Sequence, residues 1–199
     1  GLGDVYKRQG ASTGVGEGIA QLLFQRGATV FITGRHLEEI TKTARSIDIT
    51  GKKVIALQAD MTSFSQVEKM IETIIAQVGA LHGLVNNAGI GSFGNFTEID
   101  WNIEEKLIDI NIKALTRLTK YFLPKMIENK SGGILNVAST AAFASGPKMA
   151  TYYASKAYVL NLTEAIHEEL RAFGVKISCL CPGPVSYTHL RAHETLRHL

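Results

Sequence analysis

Between residue 10 and about residue 183, short apolar runs alternate with longer stretches in which apolar positions return every three to four residues. The short runs predict strands over 28–33, 53–59, 83–87, 133–139 and 175–180, being brief and rich in β-branched residues. The longer stretches predict amphipathic helices over 16–26, 37–47, 65–78, 102–129 and 152–173. Strand and helix in alternation imply right-handed crossovers. The expected fold class is therefore α/β, a doubly wound parallel sheet covered on both faces. No repeat, low-complexity tract or linker interrupts the pattern, so residues 10–185 read as one domain.

Both ends break this pattern. A doubly wound sheet places its central strand just before the first glycine loop, buried on both faces. Here that place holds Asp4-Val5-Tyr6-Lys7-Arg8-Gln9, with charge on either face of such a strand. Residues 186–199 hold three of the six histidines. His189 and His193 stand at i and i+4, but no third ligand follows at a matching spacing, so no metal site is expected.

Composition narrows the class. A chain of 199 residues that is 45% hydrophobic can bury one sizeable core. The net charge of +3 comes with no basic patch interleaved with aromatics, which speaks against nucleic acid. No apolar run reaches the ~18 residues of a membrane span, and no charged-then-apolar signal opens the chain. The expected location is the cytoplasm. Cys179 and Cys181 form a lone Cys-x-Cys in a predicted strand, read as buried thiols because a zinc site needs further ligands.

Candidate chemistry centres on Tyr152 and Lys156, at i and i+4 on a predicted helix, where the ammonium sits one turn from the phenol. A nearby cation favours the phenolate and makes a phenol a usable acid near neutral pH. An exposed helical pair is the plain alternative. Ser139, at the end of an apolar run, is placed to hydrogen-bond a substrate carbonyl. Upstream, Gly10-Ala11-Ser12-Thr13-Gly14-Val15-Gly16 leads into a helix, and its glycines let the backbone approach a pyrophosphate favoured by the helix N-terminus. The second predicted strand is followed by Gly34-Arg35. A cation there, in place of an acid, favours a 2′-phosphate and so NADP(H) over NAD(H). Asp60, in Ala59-Asp60-Met61, either accepts a bond from adenine or caps the next helix.

Together these residues resemble the short-chain dehydrogenase/reductase family in its shorter branch. The resemblance covers residues 10–185 and rests on Gly10/Gly14/Gly16, Asn86-Asn87-Ala88-Gly89, Asn111, Ser139, Tyr152/Lys156 and Pro182-Gly183-Pro184-Val185. It implies a Rossmann fold and an oxidoreductase interconverting a ketone, aldehyde or 3-oxoacyl group with an alcohol by hydride transfer. Tyr152 is then the general acid, and Lys156 lowers its pKa and bonds the nicotinamide ribose. Ser139 orients the carbonyl, and Asn111 holds a proton-relay water. The implied cofactor contacts are Gly10, Ser12, Thr13, Gly14, Val15, Gly16, Arg35, Asp60, Met61, Asn87, Ala88, Gly89, Tyr152, Lys156, Pro182, Gly183 and Val185. The implied partners are a small carbonyl or alcohol substrate and a second copy of the chain, docked through helices 102–129 and 152–173. Gln9 departs from the family's usual Thr. The last strand and the substrate-covering helices are expected to be missing, and segments 1–9 and 186–199 to be foreign to the gene. The rival expectation is a catalytically silent dinucleotide-binding fragment. A sugar-nucleotide epimerase, which shares Tyr-x-x-x-Lys, fits the glycine spacing less well.

Overall fold

Successive side chains of a strand point to opposite faces, so each apolar run offers one row of side chains to either face of a sheet. The computed structural model describes residues 14–183. In chain order it runs α1 (Val15–Gln25), β1 (Val30–Gly34), α2 (Leu37–Ile47), β2 (Val54–Gln58), α3 (Phe64–Val78) and β3 (Gly83–Asn86). It continues with α4 (Trp101–Ile108), a π-helical segment Asp109–Ala114, α5 (Leu115–Glu128), β4 (Gly133–Val137), a 3-10 turn Thr140–Phe143, α6 (Ala150–Glu169) and β5 (Lys176–Leu180). This is the expected doubly wound α/β fold.

All strand pairs are parallel. Among the described residues they form two ladders, β1–β2 with Val30 opposite Val54, and β3–β4–β5 with Val85 opposite Leu135 and Asn136 opposite Cys179. Val30 and Ile32 of β1 and Val54 of β2 bury against Ala20 of α1 and Ile40 and Ala44 of α2. The intervening Phe31 and Leu57 turn to the other face. There they join Leu84, Ile134 and Ile177 under Val67, Ile71 and Ile74 of α3 and Leu118, Phe122 and Met126 of α5. One core thus spans both ladders.

Three expectations are corrected. The single helix over 102–129 is interrupted by the π-helical segment, because Asn111 turns its side chain onto backbone outside the helix. Strand 133–139 stops at Val137, since Ala138 and Ser139 lead into the 3-10 turn. Cys179 and Cys181 are only part-buried.

Candidate active site

The loop after β3, the end of β4 and the first turns of α6 meet at one place. Ser139 is extended and buried, and its Oγ accepts a 3.2 Å hydrogen bond from the Ala141 N–H. Its hydroxyl proton remains to donate. On α6, Tyr152, Ser155 and Lys156 are 8%, 0% and 5% exposed. Lysine is almost never buried without a partner. Lys156 Nζ donates to the Val137 carbonyl at 3.0 Å and lies 5.9 Å from the centre of the Tyr152 ring. The pair is therefore buried, and the exposed alternative is excluded.

Asn111 is 1% exposed. Its side-chain oxygen accepts from Ile90 N–H at 2.9 Å, and its amide donates to Ile90 C=O and to Ser155 Oγ, each at 2.9 Å. Ser155 in turn donates to the Tyr152 carbonyl at 2.7 Å. The Asn111 amide thus binds one residue's N–H and C=O as a neighbouring strand would, and ties the loop after β3 to α6. Such π-helical segments recur at functional sites. A Cβ on Gly89 would stand 3.3 Å from both Asn111 Oδ1 and Lys156 Nζ, and one on Gly91 would stand 3.4 Å from the Tyr152 ring. Tyr152 also packs with Ile90, Leu107, Ile110 and Ala141. Asn111, Tyr152 and Lys156 are thereby gathered around one short loop, and Lys156 reaches the end of β4 two residues before Ser139.

A cleft beside this centre is lined by Arg35, Asp60, Met61, Ala88 and Gly89, together with Thr33, Gly34 and Ile110. Asp60 Oδ1 accepts from Thr62 N–H at 2.9 Å and Thr62 Oγ1 at 2.8 Å. Burial pushes its carboxyl up, but the Thr62 bonds and the charges of Arg35 and Lys106 outweigh burial and hold it below the usual value. The N-cap position of α3 is Ser63, so the capping alternative for Asp60 does not apply. Gly14 occupies the N-cap of α1 with φ 67, a left-handed conformation that favours glycine, and no side chain among the described residues caps the turn formed by Val15 and Gly16. Asn87 follows β3 directly. Pro182 and Gly183 follow β5, and Pro182 C=O accepts from Thr140 N–H at 3.0 Å. Gly10, Ser12, Thr13 and Val185 lie outside the described residues. Among the described residues no cluster of three or more His, Cys, Asp or Glu could hold a metal.

Sequence reasoning missed Ser155, although its place three residues after Tyr152 puts both on one helical face. It also missed a buried polar chain. Asn86 donates to Thr119 and to Asn136, and Asn136 donates to Thr163, at 3.1, 2.9 and 2.9 Å. These bonds link α5, β3, β4 and α6 beneath the site. The visible signal was an Asn at matching places in two apolar runs. Glu104 of α4, buried and bonded to Ser92 Oγ at 2.8 Å, was missed as well.

A family model described as short chain dehydrogenase matches residues 9–197. An uncharacterized oxidoreductase of Staphylococcus epidermidis is 34% identical over 178 residues, covering 88% of this chain and 75% of that protein. The fold resembles a metagenomic short-chain oxidoreductase in complex with NADP, with TM-score 0.82 and 34% identity, over 88% of this chain and 80% of that one. It also resembles a 3-ketoacyl-(acyl-carrier-protein) reductase from Brucella melitensis complexed with NADH, with TM-score 0.80 and 30% identity, over 87% and 72% of the two chains. No helix among the described residues is long and apolar enough to cross a membrane.

Proposed function

Because the chain belongs to the short-chain dehydrogenase family, we propose that it is an NADP(H)-dependent oxidoreductase interconverting a ketone, aldehyde or 3-oxoacyl group with the corresponding alcohol. The observation that carries this reading is the convergence of buried Tyr152, Lys156 and Asn111 on the Gly89–Gly91 loop, with buried Ser139 two residues past the Val137 carbonyl that holds Lys156. The residues present suit a dinucleotide. The helix N-terminus at Gly14–Gly16 suits a pyrophosphate, and Arg35 on the cleft rim suits a 2′-phosphate. Gly89 passes tightly beside Lys156 and Asn111, where a Cβ would intrude. When bound, the nicotinamide supplies or accepts the hydride.

The chain's own residues do the rest. Ser139 donates its hydroxyl proton as a hydrogen bond to the substrate carbonyl and fixes its direction. Tyr152 gives its phenolic proton to the carbonyl oxygen as reduction proceeds, and takes it back in the alcohol-oxidising direction. The Lys156 ammonium, held by the Val137 carbonyl, favours the phenolate that this leaves. Asn111 positions the loop and α6, and with Lys156 lies where a relay water for the proton is held. Gly10, Ser12, Thr13, Asn87, Ala88, Pro182, Gly183 and Val185 complete the cofactor contacts in this reading.

The reading extends to a cytoplasmic homodimer. A groove between α5 and α6 is lined by Ile112, Thr116, Arg117, Tyr121 and Tyr158, with Thr116 Oγ1 and Tyr158 OH 2.9 Å apart. Tyr121 is 56% exposed. A second copy packing these helices together would cover that aromatic surface. The test of function is NADPH consumption across a panel of ketones, aldehydes and 3-oxoacyl thioesters. Turnover of at least one class is expected, whereas cofactor binding without turnover of any would leave the silent dinucleotide-binding fragment.

A further inference from the structure

The chain has two cysteines, Cys179 and Cys181, and their sulfurs face the same side of the β5 strand and its continuation. The Sγ atoms are 3.8 Å apart, and both thiols are free and part-exposed. We propose that Cys179 and Cys181 form a dithiol site for one soft, thiophilic centre of the trivalent arsenical class, and that loading it displaces the Ser139 segment.

Geometry favours a bridging atom over a direct disulfide. Residues two apart on a strand have Cα atoms ~6.4–6.8 Å apart, at the upper limit for a disulfide. A shared atom bonded to each sulfur at ~2.3 Å, a length typical of metal–thiolate bonds, would subtend about 110° at the observed 3.8 Å separation. Trivalent arsenic is pyramidal and holds its two sulfurs at a somewhat narrower angle, so closure draws the sulfurs slightly together and needs only a small movement of the strand. Burial and the neighbouring Cys181 push the Cys179 thiol up to about 11. It therefore stays protonated at neutral pH and is a poor nucleophile toward peroxides. Condensation with an arsenical of the form R–As(OH)2 suits protonated thiols. Two As–S bonds form, two As–O bonds break, and the two thiol protons leave with the hydroxides as two waters. Arsenic stays trivalent, and no oxidant is needed.

The site is wired to Ser139 by backbone. Ala138 N–H donates to Leu180 C=O at 2.8 Å, and Thr140 N–H donates to Pro182 C=O at 3.0 Å. These two bonds flank Ser139 on either side. Both cysteines also pack against the cluster of Leu115, Ala138, Ala142 and Val159, of which Ala138 and Ala142 bracket the same turn. A bridging arsenic with its organic group cannot enter that contact without moving the turn. The effect on turnover rests on the function proposed above, whereas capture itself does not.

The test treats the full chain with phenylarsine oxide and reads intact mass and turnover. One arsenical per chain is expected, surviving excess 2-mercaptoethanol and released by 2,3-dimercaptopropanol. Affinity should be at least about tenfold higher for the folded chain than in urea, because the strand pre-aligns the sulfurs. Turnover should fall at least about tenfold on loading, as a misplaced positioning group makes it do, and return on release. Cys179→Ser and Cys181→Ser should each keep turnover and lose the monothiol-resistant adduct. Cys181→Ala serves in the same way if the serine variant does not fold. No adduct in the parent chain, a resistant adduct in either single variant, or equal affinity in urea overturns the site. A loaded chain with full turnover overturns the link to Ser139. A chain with no turnover at any stage counts against the proposed function, and the mass arm still decides the site.

Discussion

Arg35 stands half-buried where β1 ends, on the rim of the cleft, and makes no ion pair among the described residues. Its backbone carbonyl is held by Gln58 Nε2 at 2.9 Å, which fixes where the side chain starts. Asp60 lies across the rim and feels its charge. Arg35→Asp would remove that cation and set two carboxylates on one rim. Since a charge-assisted hydrogen bond is worth about 1.5–3 kcal/mol, NADPH affinity should fall about ten- to a hundredfold while NADH affinity changes little. Titrating both cofactors against parent and variant checks this, and an unchanged NADPH/NADH ratio makes Arg35 a solvated side chain. At this scale much of the site was legible. Tyr152 and Lys156 are separated by one helical turn, a relation that survives folding unchanged. The bonds of Ser155 and Ile90 to Asn111 were not legible, because they join groups distant in sequence. Asn111 joins residues 21 and 44 positions away.

Elements were read well where periodicity decides them. The segments α2 and α3 fall within a residue of the expected bounds, since their apolar stripes face a sheet without interruption. The π-helical segment escaped because apolar spacing is nearly the same on either side of it. What changes there is where one amide side chain goes. Loops between elements carry their own chemistry. Asp48, just after α2, is 3% exposed. Its carboxylate accepts from Thr50 Oγ1 and N–H at 2.6 and 3.0 Å, and from Lys53 and Val54 N–H at 2.7 and 3.2 Å. The Thr50 hydroxyl first, then these amides, hold its carboxyl down from 3.8 to about 2 against the cost of burial. A group whose folded pKa is depressed stabilises the fold when ionised. Its contribution is complete above about pH 4 and is lost as pH falls toward about 2. Asp48→Asn should therefore lower the urea midpoint at pH 6 and flatten its decline between pH 4 and 2. Parallel curves for parent and variant would show that these bonds do not link the α2–β2 turn to stability.

At the scale of the molecule, the two ladders share one core, yet β1 and β3 each have an edge without a ladder partner among the described residues. The alternation of strand and helix made the sheet's class legible. It left the ends unexplained, because Asp4, Lys7 and Arg8 cannot be reconciled with a strand buried on both faces. We propose that residues 1–9 are foreign to the domain, whereas the family match runs on to residue 197. Replacing residues 4–9 by an apolar strand ending in Thr should raise the thermal midpoint, since each buried apolar side chain contributes about 1.5–3 kcal/mol. An unchanged or lower midpoint contradicts that proposal.

In the function proposed above, the whole arrangement, with Asn111 and Ser155 clamping α6 and Lys156 anchored at Val137, would serve to present one phenolic proton to the substrate carbonyl. The most direct test is turnover by Tyr152→Phe with NADPH affinity measured on the same preparation. The ring and its packing against Ile90, Leu107, Ile110 and Ala141 remain, and only the acidic hydroxyl is lost. Turnover should fall about 10²–10⁴-fold, the usual contribution of general acid catalysis, with cofactor affinity nearly unchanged. A loss of under about threefold in a chain that binds and turns over normally would contradict the assignment of Tyr152 as the acid, because that effect is far below what general acid catalysis supplies.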